Sequence, residues 1–156
     1  MRIKMSGFTL IELVAVLVII GVLAIAAISR FFDTQVFDSR GFNDQTLATL
    51  RFAQKTAIAQ RRTVCVTFTG TTVTLIMATA AGASITCIPT TNLTSPTGVT
   101  PYVLTAHGSA SFSAIPANFQ FNSLGQAIIA GQTQVMQVIG ASGSITIEGA
   151  TGYVHP

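Results

Sequence analysis

The chain has 156 residues, of which 49% are hydrophobic and only 8% are charged, compared with about 25% charged in an ordinary soluble domain. This composition excludes intrinsic disorder, coiled coils and nucleic-acid-binding tails, which are polar or rich in charge. Two cysteines are too few for a disulfide scaffold or a four-ligand zinc site. All eight Lys and Arg residues lie at or before Arg62, and Glu148 is the only formal charge from Thr63 onward. The chain is therefore one domain with at most one extension.

A short basic leader precedes a long apolar run. Residues 1–7 carry Arg2 and Lys4 and no acid, and between Phe8 and Ile28 only Thr9 and Glu12 are clearly polar. As a helix, residues 8–28 span ~31 Å, which is enough to cross the hydrocarbon core of a bilayer. The basic leader keeps the N-terminus in the cytoplasm and sends everything after Ser29 outward.

Three interpretations of this run are open. It is a simple signal anchor, a secretory signal cleaved near the small-x-small sequence at residues 24–26, or a helix in which Glu12 has a partner. The first two leave Glu12 unexplained, because a carboxylate in an apolar helix is costly and usually paired.

Residues 29–62 predict an amphipathic helical stalk. An apolar stripe recurs at helical spacing and predicts packing on a following sheet; it comprises Leu47, Leu50, Ala53, Ala57 and Ile58. Asn43 or Asp44 is a candidate cap for a helix starting there, and Gly41 a candidate bend. Four phenylalanines between membrane and head favour packing against neighbouring subunits, with burial under the chain's own loops as the alternative; they are Phe31, Phe32, Phe37 and Phe42.

The only concentrated basic region lies at the end of this stalk and comprises Arg51, Lys55, Arg61 and Arg62. It is interpreted as a solvated helix end, where cations suit the helix dipole. The functional alternative is a weak patch for DNA or an acidic partner.

Residues 63–156 predict an uncharged, β-rich head. Alternation sends Val64, Val66 and Phe68 to one face, and Gly70-Thr71 permits a hairpin turn. Predicted strands cover residues 63–69, 72–77, 84–88, 102–106, 109–114, 118–121, 127–129, 134–139 and 144–148, with breaks at 89–101, 140–143 and 149–152. The predicted fold class is α+β, a long N-terminal helix packed on a C-terminal antiparallel sheet.

Cys65 and Cys87 both fall in predicted strands on the outward side of the membrane. In an oxidising compartment they can form a disulfide worth about 3 kcal/mol. The alternative is two separate buried thiols.

The heptapeptide Gly7-Phe8-Thr9-Leu10-Ile11-Glu12-Leu13, after a basic leader and before an apolar run, resembles the processing motif of type IV pilins and type II secretion pseudopilins. The resemblance implies cleavage between Gly7 and Phe8 by a prepilin peptidase and methylation of the new N-terminus at Phe8. It further implies that Glu12 pairs with the Phe8 amine of a neighbouring subunit, and that Gly21 is the helix-loosening glycine of the family. Many pilins have a proline where this chain has Ser29.

The implied partners are other pilin or pseudopilin subunits, the prepilin peptidase/N-methyltransferase, the inner-membrane assembly platform and, before assembly, inner-membrane lipid. The implied location is the bacterial inner membrane, single-pass with the head in the periplasm, and then a pilus or pseudopilus. Residues 45–66 and 119–154 are similar to H-type pseudopilins and FimT-like minor pilins, and within that group to minor pilins of mannose-sensitive haemagglutinin pili.

A DNA-binding minor pilin is the alternative function. DNA-binding members of the FimT-like group end in an arginine-rich Gly-Arg-x-Arg pattern, and this chain has Gly152-Tyr153-Val154-His155 instead. Removing Arg2 and Lys4 with the leader also lowers the formal net charge of +3 by two. Phosphate binding depends on cations, so the sequence argues against a nucleic-acid partner.

The sequence contains no enzyme constellation. No Ser lies in a Gly-x-Ser-x-Gly frame, and neither His107 nor His155 has a carboxylate nearby in the sequence. We therefore expect no catalytic residues, no metal site and no cofactor. The expected role is that of a structural subunit.

Overall fold

The computed structural model describes residues 9–31, 34–82, 87–88 and 90–156, with the backbone alone for residues 25–31 and 34. The chain divides into two compact units, Met1–Thr34 and Gln35–Pro156. Each unit is described by itself below.

The described part of the first unit is dominated by one apolar helix, α1, which spans Leu10–Phe31. Thr9 precedes it, and the backbone N–H of Glu12 donates to the Thr9 carbonyl at 3.1 Å. The described residues from Leu10 to Ala24 are all exposed within the unit. Their apolar surface is thus uncovered in the single chain.

The second unit begins within a long helix, α2, which spans Thr34–Gln60. This helix is continuous through Gly41, and Asn43 and Asp44 lie in the middle of its length rather than at its N-terminus. The predicted helix start at Asn43 or Asp44 is therefore wrong, and no new helix begins after Gly41. The interval between α1 and α2, at residues 32 and 33, lies outside the described residues, so the predicted continuity of the stalk stays a prediction there.

One face of α2 is buried, largely as the stripe predicts. Leu50, Ala53 and Ala57 are fully buried and Leu47 packs against them, but Ile58 is 48% exposed, so its predicted place in the stripe is wrong. The buried face is also more polar than predicted, because it includes Ser39, Asn43, Thr46 and Thr49.

The phenylalanines have different environments. Phe42 is 2% exposed, and its ring centroid lies 5.0 Å from that of Phe112. The predicted packing of Phe42 against a neighbouring subunit is therefore wrong, since its own head covers it. Phe37 is 73% exposed, and its packing against a neighbour stays a prediction. The side chain of Phe31 and all of Phe32 lie outside the described residues.

Nine strands follow among the described residues of the head. They are β1 (Val64–Phe68), β2 (Thr72–Ala78), β3 (Thr90–Asn92), β4 (Tyr102–Thr105), β5 (Phe119–Phe121), β6 (Ala127–Ile128), β7 (Thr133–Gln137), β8 (Ser144–Glu148) and β9 (Val154–His155). The first sheet has the order β3-β2-β1-β5-β6, with β4 pairing to β2 beside β3; the second has the order β7-β8-β9. Every pairing is antiparallel, which confirms the predicted α+β class.

The β1–β2 hairpin forms where the sequence predicts it. Val64 faces Met77 and Phe68 faces Val73 across the ladder. The Thr69 hydroxyl accepts a hydrogen bond from the Thr72 N–H at 3.0 Å, which closes the turn around Gly70 and Thr71. Val64, Val66 and Phe68 are buried, so the predicted inward face is confirmed.

Three strand predictions need correction. Of the predicted strand 84–88, residues 84–86 lie outside the described residues, and Cys87 and Ile88 are not in a strand. The predicted strand 109–114 is reduced to one bridge between Phe112 and Val138. The predicted break at 89–101 contains β3, a short polar strand that pairs Asn92 with Ile76.

The core lies between α2 and the two sheets. It combines the buried face of α2 with the inward side chains of β1, β2 and β5 from one sheet and of β7 and β8 from the other. Phe68, Phe112 and Phe119 form an aromatic chain within it, with centroid separations of 5.8 Å and 6.0 Å.

Candidate functional site

The first turn of α1 carries the residues that the sequence singles out for assembly. Gly7 and Phe8 lie outside the described residues, so cleavage after Gly7 and methylation at Phe8 stay predictions. Thr9 is the N-cap of α1, because its hydroxyl and its carbonyl both accept from the N–H of Glu12, at 3.4 Å and 3.1 Å. Glu12 is therefore the third residue of the helix.

Thr9 is a positioning residue that the sequence interpretation missed. The spacing Thr-x-x-Glu before an apolar run is the signature of a capping box, and the sequence shows it at Thr9 and Glu12. The cap fixes where α1 starts and thus the turn on which the Glu12 carboxylate lies. A negative charge in this first turn also suits the positive end of the helix dipole.

The surroundings of Glu12 are apolar and open. Leu10 is 80% exposed and Ile11 is 73% exposed within the single chain. Glu12 is the one charged side chain among those described between Thr9 and Ala24. Its carboxylate has no ion-pair partner among the described residues, so pairing to the Phe8 amine of another subunit stays a prediction.

Gly21 lies in the interior of α1. A Cβ built on it meets nothing within 4 Å, so the packing described for this unit does not require a glycine there. Its role in helix loosening during assembly stays a prediction.

The four cations of the predicted basic patch are divided between two places. Arg51 and Lys55 are exposed one turn apart on α2, and the Nε of Arg51 donates to the carbonyl of Val154 at 3.1 Å. Arg61 and Arg62 follow the end of α2, where Arg61 has a φ of +50°. The N–H of Arg62 donates to the Ala57 carbonyl at 3.1 Å, so this pair terminates the helix. None of the four pairs with a carboxylate among the described residues.

One of the two histidines, His155, differs from the sequence expectation. His155 has a carboxylate neighbour after all, because β9 pairs with β8 and brings Nε2 of His155 to 3.5 Å from Oε1 of Glu148. The ring of Tyr153 stacks on His155 with centroids 5.1 Å apart. The expectation that His155 lacks a nearby acid is therefore wrong. All three side chains lie at the surface or are only half-buried.

The cysteines form a disulfide, with 6.1 Å between the Cα atoms of Cys65 and Cys87. The alternative of two separate thiols is wrong. Cys65 lies in β1 as predicted, but Cys87 is buried and lies outside any strand. The bond therefore attaches an irregular segment to the middle of the first sheet.

Within the described ranges, no group of three or more His, Cys, Asp or Glu residues is placed to hold a metal ion. No helix in the part of the chain described in full is both long and apolar enough to cross a membrane.

The described residues have a pilin-like α+β fold, two helices followed by antiparallel β-sheet. A comparison with protein families matches residues 2–28 to the family described as "Prokaryotic N-terminal methylation motif". The chain thus carries the N-methylation motif of prokaryotic type IV pilin and pseudopilin precursors. Comparisons with curated proteins and with solved structures gave no match.

Proposed function

We propose that this chain is a minor pilin or pseudopilin, a structural subunit of a type IV pilus or type II secretion pseudopilus. It is made with a leader at residues 1–7, cut after Gly7 and methylated at Phe8. The observation that carries the proposal is the methylation motif over residues 2–28 in a chain that continues into an α+β head. The sequence resemblance to H-type pseudopilins, FimT-like minor pilins and mannose-sensitive haemagglutinin minor pilins supports the minor role.

Residues 8–28 hold the subunit in the inner membrane before assembly and form the filament core afterwards. The exposed apolar surface of α1 supports this, because an apolar patch of this size marks a surface that is covered by lipid or by another helix. Residues 29–62 form the stalk, and residues 63–156 present the outer surface of the filament. Partners at these stages are the prepilin peptidase/N-methyltransferase, the assembly platform and the other subunits.

Glu12 sets the register between subunits by pairing with the Phe8 amine of a neighbour. Each charge would otherwise enter an apolar environment alone, and pairing offsets much of that cost. The Thr9 cap supports the pairing because it fixes Glu12 on the first turn of α1.

Mass spectrometry of the mature chain tests the processing step. The expected N-terminus is a methylated Phe8 in cells that contain the peptidase, and an uncut chain in cells that lack it. A mature chain that begins at Met1 or Ala27 in peptidase-containing cells contradicts the proposal.

Substitution of Glu12 tests the assembly step. Glu12→Ala should leave membrane insertion unchanged and reduce incorporation into sheared filaments, whereas Glu12→Asp, which keeps the carboxylate, should retain more of it. Normal incorporation of the Glu12→Ala chain contradicts the pairing. A DNA-uptake role is not proposed, because the C-terminal stretch Gly152-Tyr153-Val154-His155 contains no arginine to bind phosphate.

A further inference from the structure

The second sheet has a cleft beside its edge strand β7. The segment 111–113 pairs with the end of this strand, because the N–H of Ser113 donates to Gln137 at 2.8 Å and that of Ile139 donates to Ser111 at 2.9 Å. Residues 114–117 then leave the strand, and the amide of Gln134 donates to the Ala117 carbonyl at 2.9 Å, which links the two again. The cleft between them has a volume of about 450 Å³.

The strand register shows which backbone groups face this cleft. In an antiparallel strand, the N–H and C=O of alternate residues point to the same side. The Gln137 carbonyl bonds to Ser113, on the side away from β8, so Thr133 and Val135 direct their backbone groups to that same side. Among the described residues, no strand pairs with the edge of β7 at these two positions.

Residues 114–117 cannot supply the missing strand in their present path. Continued pairing in the register of Phe112 and Val138 would set Ile115 opposite Val135. Pro116 follows directly and lacks an N–H to donate. The segment instead forms the far wall of the cleft.

The walls of the cleft are uncharged. They consist of 113–117, Ile129, Ala130, β7 and Ser144. Val135 is 62% exposed and Ile115 is 66% exposed. A charged ligand would lose hydration here and find no opposite charge, which is unfavourable. The volume lies within the range of ordinary ligand sites, and the free backbone groups match those of another extended chain.

We propose that this cleft binds an extended, uncharged peptide segment of a partner protein, which adds as a strand antiparallel to β7 at Thr133 and Val135. Main-chain hydrogen bonds supply the affinity in this mode, and the uncharged walls meet alternate side chains of the added strand. Natural edge strands are usually protected by charge, proline or a covering segment. β7 contains no charge and no proline. The inference stands independently of the filament role.

The test uses the full chain in detergent micelles with the capped peptide acetyl-Thr-Val-Thr-Val-Thr-amide as the probe. Amide NMR signals of 113–117 and 133–137 should shift on titration. Val135→Pro should weaken the affinity at least about fivefold, because it removes one main-chain donor. Proline is tolerated at this edge position, since the Val135 N–H does not bond to β8.

Val103→Pro is the matched control. It places the same substitution in β4, another edge strand. The N–H of Val103 also faces away from the partner strand β2, because the ladder bonds lie at the neighbouring pairs Leu104–Val73 and Ala106–Thr71. It should leave peptide affinity unchanged. Equal weakening by both substitutions, or shifts confined to β4, would overturn the proposal.

A second measurement does not depend on the folding of any variant. The same peptide N-methylated at its three central residues lacks the N–H groups of those residues and should bind the unaltered protein more weakly. Equal binding of the methylated peptide, or no shift with millimolar unmethylated peptide, overturns the proposal. Shifts of 133–137 that follow protein concentration without peptide would identify a second copy as the occupant and likewise overturn it.

Discussion

Gly152 shows how closely the end of the head is packed. Its φ is +66°, and a Cβ at this position would collide with the Gly125 carbonyl oxygen and lie 2.8 Å from Nε2 of Gln54. We predict that Gly152→Ala lowers the free energy of unfolding by at least about 3 kcal/mol, as measured by urea denaturation. The backbone at Gly152 or at Gly125 would have to shift to make room for the added methyl group.

Gly98→Ala is the control for this prediction. Gly98 has a similar φ of +87°, but nothing lies within 4 Å of a Cβ built there. The loss at Gly98 should be about 1–2 kcal/mol, the conformational cost alone. Equal losses at the two glycines would show that the close approach at Gly152 contributes nothing.

Gln54 connects α2 to two loops of the head. Its Nε2 donates to the Gly125 carbonyl and to the Thr151 carbonyl, each at 3.0 Å. Gln54→Leu should reduce stability by about 2 kcal/mol, because two hydrogen bonds are lost and two carbonyls lose a donor. Gln45→Leu, an exposed site on the same helix, should change stability by less than about 0.5 kcal/mol. Similar midpoints for the two variants in urea denaturation would contradict the prediction.

Contacts of this kind are not readable from local sequence. Gln54 and Gly125 are 71 residues apart, and the polar face of a helix does not indicate which glutamine will find carbonyls. The pairing of His155 with Glu148 has the same origin, since strand register rather than sequence proximity brings them together. The Thr9–Glu12 cap is local, and its spacing could have been recognised from the sequence alone.

At the scale of elements, alternation predicts the strands with one buried face. β1 and β8 alternate between buried and half-buried side chains, and both occur where the sequence indicates. β3 has the sequence Thr-Thr-Asn with no buried residue, so its hydrophobic pattern carries no signal. The strand predicted at residues 109–114 is wrong for the opposite reason. Ala110 and Phe112 have buried side chains, but they lie in an irregular segment that makes one bridge.

The disulfide should contribute to stability through the loop that it closes. Cys65 and Cys87 are 22 residues apart, and the double substitution Cys65→Ser with Cys87→Ser should cost about 3 kcal/mol on chain-entropy grounds. Urea denaturation of the oxidised chain, with and without a reductant, measures this. The reductant should leave the urea midpoint of the doubly substituted chain unchanged. If the doubly substituted chain has the same midpoint as the oxidised, unsubstituted chain, the prediction is contradicted.

At the scale of the whole molecule, the two units differ in what covers their apolar side chains. The described side chains of α1 are exposed in the single chain, whereas the core of the second unit is closed and begins at Phe42. Composition predicts the division, since an unbroken apolar run cannot form an amphipathic face and an alternating segment can. It cannot predict where the closed core starts. The pattern predicts a stalk over residues 29–62, and within it Phe42 is the first residue of the buried core cluster.

The start of the core leads to a prediction about truncation. A fragment of residues 35–156 retains every residue of the buried core cluster, so it should fold cooperatively with the disulfide formed. A fragment of residues 44–156 lacks Phe42, whose ring packs on Phe112, and should lose about 3–5 kcal/mol of stability. Circular dichroism of the two oxidised fragments in urea measures the difference. Equal midpoints would mean that Phe42 contributes nothing to the core of the head. Failure of the longer fragment to fold would mean that this core depends on residues before Gln35.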